Sequence, residues 1–296
     1  MDTRFNHFVA LLHGIKWEYR KSSEYTLSKD IKLCKFKGSY AEEIYLKLCK
    51  EYKFDDGDPF DYETYLIIGP RSDPKHAPHE QGPDSTISRL CNVISLTLSI
   101  PISWYRIIAV TKDLKYSGFT DDISLTYTAE HLDHYSKITL KSLNTIKNLW
   151  MSDCKLRKDY KKNSRIINSL DYYFYAWRAW NIDQTCINLA IVLETLFSPS
   201  SNTELSHRIA YNASKFMGNK KIIRKHIYDK IRDYYNLRSQ IVHGEQPKFQ
   251  LLIDSTPKIL YFCTCVIKRI LLDKHLIATF NNNKKRQELF NEWLFE

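Results

Sequence analysis

The segment Tyr234-Tyr-Asn-Leu-Arg-Ser-Gln-Ile-Val-His-Gly244 places Arg238 five positions before His243. A guanidinium can neutralise a phosphate through paired hydrogen bonds. An imidazole can move protons near neutral pH. With no metal-ligand set nearby, the two residue types together suggest phosphodiester chemistry on RNA. The bare pattern is not rare in a chain with 14 arginines and 10 histidines. Arg71…His76 repeats it in a proline-rich loop, and Arg269…His275, six apart, nearly repeats it in an apolar helix. Only Arg238…His243 sits in a wider context of motifs.

Positioning that pair falls to a helix expected over 220–243, with Gly244 just past its end. At about 100° per residue, Arg238 and His243 lie about 140° apart on a straight helix. Ser239 and His243, four apart, share a face. A two-fold dimer that apposes two such helix ends would converge two arginines and two histidines on one phosphate. The competing reading is structural. A histidine in the last turn interacts favourably with the helix dipole, and an arginine there can cap carbonyls or pair with a carboxylate.

From about residue 128 the pattern is helical almost throughout. Helices are expected near 128–150, 163–179, 182–197, 203–217, 220–243 and 248–276, with a short one at 283–294. Asn181-Ile-Asp183 precedes the apolar run Cys186–Phe197, and Ser198-Pro199 ends it. Ser201/Asn202 offer a cap for the helix entered at Glu204. Gly218 and Gly244 are read as left-handed helix ends. Short connections suggest an antiparallel bundle.

The first 125 residues read as a smaller α/β domain. Strands are expected at Ile31–Phe36, Thr64–Ile68 and Trp104–Val110, and helices at Tyr40–Tyr52 and Ser85–Leu98. The expected organisation is therefore mainly α: an N-terminal α/β domain over 1–125, with a sensing or regulatory role, and a helical domain over 126–296.

Composition narrows the partners. At 43% hydrophobic and 14% aromatic the chain can bury a full core. A net charge of +10 favours an anionic partner, nucleic acid first. The longest apolar stretch, Val93 to Val110, is interrupted by Ser95, Ser99, Pro101, Ser103 and Arg106, which argues against a membrane span. The run Phe8 to Leu12 lacks a good cleavage site and does not read as a signal peptide. Seven scattered cysteines without a CxxC pair fit free, mostly buried thiols in a reducing cytoplasm. His76/His79 and His131/His134 have metal-compatible spacing but nothing nearby completes a set, so no metal and no cofactor are expected. The Asp55–Asp61 cluster reads as a turn.

Three segments occur in order: Ile187-Asn-Leu-Ala-Ile-Val-Leu-Glu-Thr-Leu-Phe197, Thr203-Glu-Leu-Ser-His-Arg-Ile-Ala210, and the Arg238-Ser-Gln-Ile-Val-His-Gly244 end. Together they resemble the HEPN superfamily, specifically its Apea-like branch, over about 165–280. The resemblance implies an all-α bundle that dimerises, with metal-independent endoribonuclease activity at the dimer cleft, commonly in antiviral defence or toxin systems. By position it implies Arg238 and His243 as the catalytic pair and Ser239 as the polar neighbour. Glu194 falls in the Leu-Glu element, as a catalytic group or as a structural partner of Arg208 or Arg238. RNA supplies the 2′-hydroxyl nucleophile, one histidine accepts its proton, and a second protonates the leaving 5′-oxygen. The products would be a 2′,3′-cyclic phosphate and a 5′-hydroxyl. The alternatives are a non-catalytic RNA- or nucleotide-binding module and an interaction subunit that only dimerises.

Lys220, Lys221, Arg224, Lys225, Lys230 and Arg232 line the approach to the motif as candidate RNA-binding residues. Lys155, Arg157, Lys158, Lys161, Lys162 and Arg165 form a second basic cluster. Either group can also be a solvated helix face. The aromatic run Tyr172 to Trp180 reads as core or dimer packing, with base stacking as the alternative.

Overall fold

The computed structural model describes residues 7–13, 15–29, 31–35, 64–68, 86–100, 102–110, 116–120, 136–199 and 204–294. The described chain is mostly helical, with a small strand region of two sheets towards the N-terminus. It divides into two compact units, Met1–Trp150 and Met151–Glu296. The domain boundary expected at 125/126 lies outside the described residues. So do the expected helix Tyr40–Tyr52, the turn Asp55–Asp61, the pair Arg71…His76, His79, His131/His134 and the cap Ser201/Asn202.

In the first unit the strands are β1 (His7–His13), β2 (Ile15–Trp17), β3 (Glu24–Ser28), β4 (Ile31–Lys35), β5 (Thr64–Ile68), β6 (Ser103–Val110), β7 (Tyr116–Thr120) and β8 (Ser136–Ile138). Six of them form an antiparallel sheet in the order β3-β4-β5-β1-β6-β7. β1 is interior, running from Phe8↔Ile68 to Leu12↔Thr64 against β5 and paired with β6 on its other side. β2 and β8 pair in parallel. Helix α1 (Thr86–Leu98) is buried on nearly every side, at all positions from Ile87 to Leu96 except Arg89. Ser99 ends it at φ 60.

The remaining helices are α2 (Leu140–Arg157), α3 (Tyr160–Trp177), α4 (Ile182–Phe197), α5 (Leu205–Met217), α6 (Lys221–Val242), α7 (Phe249–Leu272), α8 (Lys274–Asn281) and α9 (Asn283–Leu294). Among the described residues no helix is long and apolar enough to cross a membrane. Within the second unit α4 is central and packs against α3, α5, α6 and α7. Its sequence explains this: Cys186, Leu189, Ala190, Val192, Leu193, Leu196 and Phe197 are all buried. Asn181 starts it by accepting from Gln184 N–H at 2.8 Å. Two arginines close its other end. Arg286 Nη1 donates to the carbonyls of Leu196 (3.1 Å) and Ser198 (2.8 Å), and Arg165 Nη1 donates to that of Thr195 (2.6 Å). These satisfy carbonyls that a helix end leaves without partners. Burial pulls the Arg286 pKa down to about 10, with the Arg165 charge adding to the shift.

Three sequence expectations are corrected. Ser136–Ile138 is a strand, not part of a helix over 128–150. Helix α2 starts only at Leu140, after Thr139 and Ser142 cap each other's backbone N–H, and continues to Arg157. The helix expected over 248–276 breaks at Asp273, whose carboxylate accepts from His275 and Leu276 N–H and so starts α8. Gly218 is extended, at φ −90, and not left-handed. It is small because a Cβ there would meet Arg224 Cγ at 2.7 Å and the Ser214 carbonyl at 2.8 Å.

Candidate functional site

Helix α6 is about 33 Å long at 1.5 Å per residue. It has no internal glycine or proline, and it buries Ile231, Tyr234, Tyr235 and Leu237 near its C-terminal half. Two buried tyrosines fasten it to α4. Tyr234 Oη donates to the Cys186 carbonyl at 3.1 Å, and Tyr235 Oη donates to the Ala190 carbonyl at 3.3 Å. Burial pushes both phenols well above their usual range, so they remain neutral donors. Cys186, Ala190 and Glu194 form a row at four-residue intervals on α4. The next rung brings Glu194 to Arg238, with Oε1 to Nη2 at 3.6 Å. The contacts climb both helices in the same direction.

Of the two partners the sequence offered Glu194, the described ion pair is with Arg238. The two side chains are 27% and 31% exposed. Burial raises the Glu194 carboxyl above the usual glutamate range, and the Arg238 charge opposes that shift. The Arg238 Nε is buried and has no hydrogen-bond partner among the described residues. The guanidinium is thus held against α4 with donor capacity still to be used.

His243 is the residue at which α6 ends, and it is exposed. Its N–H donates to the Ser239 carbonyl at 3.0 Å. Gly244 follows at φ +79, its N–H reaching the Ile241 carbonyl at 3.1 Å, while Glu245 N–H reaches the Gln240 carbonyl at 2.9 Å. That nested pair is the Schellman ending, which requires a left-handed residue here. Among the described contacts no hydrogen bond or ion pair joins Arg238 to His243. Ser239, half-buried, lies between them on the face of His243.

The basic candidates separate into two kinds. Lys220, Lys221 and Lys225 are exposed. Arg224 Nε donates to the Gly218 carbonyl at 2.8 Å and closes the α5–α6 turn. Arg232 Nη1 donates to Tyr228 Oη at 3.2 Å. In the second basic cluster, Arg157 pairs with Asp153 (3.0 Å) and Asp171 (2.5 Å), tying α2 to α3, and Arg165 caps α4. The competing arginine, Arg269, donates to the Phe216 carbonyl and stands 4.6 Å over the Phe216 ring, while His275 is exposed. Of the aromatic run, Tyr173, Phe174 and Trp177 are buried, whereas Tyr175 and Trp180 are exposed, Trp180 at 86%.

Two features of the site escaped the sequence reading. One is the tyrosine clasp. Tyr234-Tyr235 stands directly before the motif, and a buried phenol needs an acceptor, so the pair itself was the signal. The other is His207, whose Nδ1 meets Tyr228 Oη at 2.5 Å across α5 and α6. Among the described residues no three His, Cys, Asp or Glu side chains gather as a metal site. The six described cysteines stand outside any disulfide, and four of them are buried. Comparison with family models, with curated proteins and with solved structures gives no match.

Proposed function

We propose that the chain is a metal-independent endoribonuclease of the HEPN type, acting through Arg238 and His243 at a site completed by a second copy. The observation that carries this reading is the pairing of Arg238 with Glu194 on the central helix, five residues before an exposed His243 at the end of α6. Glu194 positions the arginine. Arg238 takes the charge that builds on the phosphorus oxygens. His243 takes the proton of the 2′-hydroxyl, and the partner copy's equivalent histidine gives one to the leaving 5′-oxygen. The N-terminal unit senses a trigger ligand, and the setting is antiviral defence or a toxin system.

The second copy is needed because Arg238 and His243 point about 140° apart on one helix. Exposed Val242, Phe249, Leu251 and Ile253, beside the end of α6, offer apolar surface to bury in such a dimer. The same divergence favours one other reading, a module that binds RNA without cutting it. Incubation with cellular RNA and mapping of new 5′-hydroxyl ends separates the two. Cleavage should persist in EDTA and leave cyclic phosphates, and an all-2′-deoxy version of a cleaved substrate should resist. Loss of cleavage in EDTA, restored by added metal, would overturn the mechanism. Binding without new ends would select the non-catalytic reading.

A further inference from the structure

On α6 the residues Lys221, Lys225, Tyr228, Arg232, Ser239 and His243 fall within about 60° of arc, because their spacings of four, three, four, seven and four keep returning to one face. Arg238 lies about 120° from Arg232, on the side that meets α4. The helix therefore carries a cationic and aromatic stripe that begins at its N-terminus and ends at His243.

The upper part of that stripe borders an open groove of about 510 Å³ between α5 and α6. Tyr211, Tyr228 and Ile222 give it apolar surface, and Lys221, Arg224 and Lys225 give it positive charge. Ile222 and its neighbour Ile223 are 78% and 40% exposed, apolar side chains open to solvent between Lys221 and Arg224. At one side of the groove Tyr228 is fixed from two directions. His207 meets its hydroxyl at 2.5 Å and its ring edge-on, with centroids 5.4 Å apart. Arg232 donates to the same hydroxyl and lies 5.9 Å over the ring. The phenol oxygen, with one proton to give and lone pairs to receive, is thus engaged by both. Its ring is held still, and Arg232 has spent one of five N–H donors.

A rigid ring beside an apolar groove with cations around it is the recurring means of holding one base and its phosphate from a single strand. We infer that the groove is a strand-entry subsite: one base lies against Tyr228 and Tyr211, Arg232 and Lys225 take phosphates, and the strand follows the stripe to His243. His207 is a positioning residue for Tyr228. This inference rests on the RNA reading of the previous section. Tyr228 precedes His243 by fifteen residues, about 22 Å along the helix. At about 3.4 Å per stacked nucleotide, that separates the subsite from the scissile phosphate by about six or seven nucleotides.

The test uses the full chain and a fluorescent, uncleavable 2′-O-methyl 12-mer in an anisotropy titration. Tyr228→Ala should weaken binding about tenfold, within the range for a lost base–aromatic stack. Tyr228→Phe, which keeps the ring, should lose at most about a third of that effect on a logarithmic scale. Arg232→Gln supplies an arm that does not depend on removing the ring, and should weaken binding and flatten its salt dependence. Lys284→Ala, a charge removed from α9, should change binding less than twofold. With cleavable RNA, Tyr228→Ala should raise KM for a 12-mer at unchanged kcat, and leave a trimer spanning the scissile bond unaffected. Unchanged binding in both Tyr228→Ala and Arg232→Gln, or an equal loss in Lys284→Ala, would overturn the subsite. If the 12-mer binds as expected but no RNA is ever cut, the subsite stands and the nuclease reading falls. Cleavage that ignores Tyr228 and Arg232 gives the converse.

Discussion

The Glu194–Arg238 pair can be tested as a coupling, by combining Glu194→Gln with Arg238→Met. At 3.6 Å, unit charges attract by about 4–5 kcal/mol at an effective dielectric of about 20. The side chains are 27% and 31% exposed, so water screens much of that. Partly exposed pairs retain about 1 kcal/mol. The two single variants should not be equivalent. Burial outweighs Arg238 in setting the Glu194 pKa, which lies above its ordinary value of 4.5. Glu194→Gln removes a carboxylate that is costly to bury, so it should stay within about 1 kcal/mol of the parent at pH 7. Arg238→Met strands that carboxylate and should cost about 1–3 kcal/mol. In the Glu194→Gln background the same arginine change should cost about 1 kcal/mol less.

The sign with pH follows from the direction of the shift. A carboxyl whose folded pKa is raised contributes its stability below the unfolded value and loses it as pH rises through the folded one. The parent should therefore lose slightly more stability than Glu194→Gln between about pH 4.5 and neutrality. At pH 4, with Glu194 protonated, the coupling should largely vanish. Urea unfolding of the four proteins, followed by circular dichroism at pH 7 and pH 4, measures all of this. A coupling below about 0.3 kcal/mol at pH 7, or the same coupling at both pH values, would refute the positioning role of Glu194.

Arg238→Ala and His243→Ala should each abolish RNA cleavage while far-ultraviolet dichroism stays unchanged, and His275→Ala should leave cleavage intact; an essential His275 would point to the wrong helix. Arg269→Ala is unsuitable as a control, because it uncaps the Phe216 carbonyl. Arg286→Ala should destabilise the fold by about 2–4 kcal/mol in urea, since it strips two carbonyls at the end of α4. The two glycines should respond differently in thermal melts. Gly218→Ala should cost about 1–3 kcal/mol through crowding, and Gly244→Ala about 1 kcal/mol through its left-handed backbone; Gly244→Asn should recover part of its loss, and Gly218→Asn should not. Light scattering should find a dimer, with specific activity falling on dilution; a fully active monomer would remove the composite site.

Much of the helical order was legible because its signals are local. Asn181 capping α4, Gly244 ending α6 and the apolar run of α1 each depend on residues within a few positions. Strands were harder. β1 is interior to its sheet, yet its run Phe8 to Leu12 carries no alternation to mark it, since pairing on both sides comes from β5 and β6, far along the chain. The three residues of β8 are too few for any periodic signal. Asp273 shows the opposite failure. The capping residue was visible, but the apolar residues on both sides masked the break. In the site, the positions of Arg238 and His243 followed from spacing. The pairing with Glu194 did not, because it depends on how two tyrosines set the register of α6 on α4.

The double arginine closure of α4 also sets an order in time. Arg286 lies 90 residues beyond the carbonyl of Leu196 that it caps. Synthesis proceeds from the N-terminus at about 5–20 residues per second. The helix that holds Glu194 thus emerges about 5–18 s before one of the two side chains that close its end, and α6 emerges in between. Until Arg286 is made, Arg165 alone caps the end of the helix that holds Glu194.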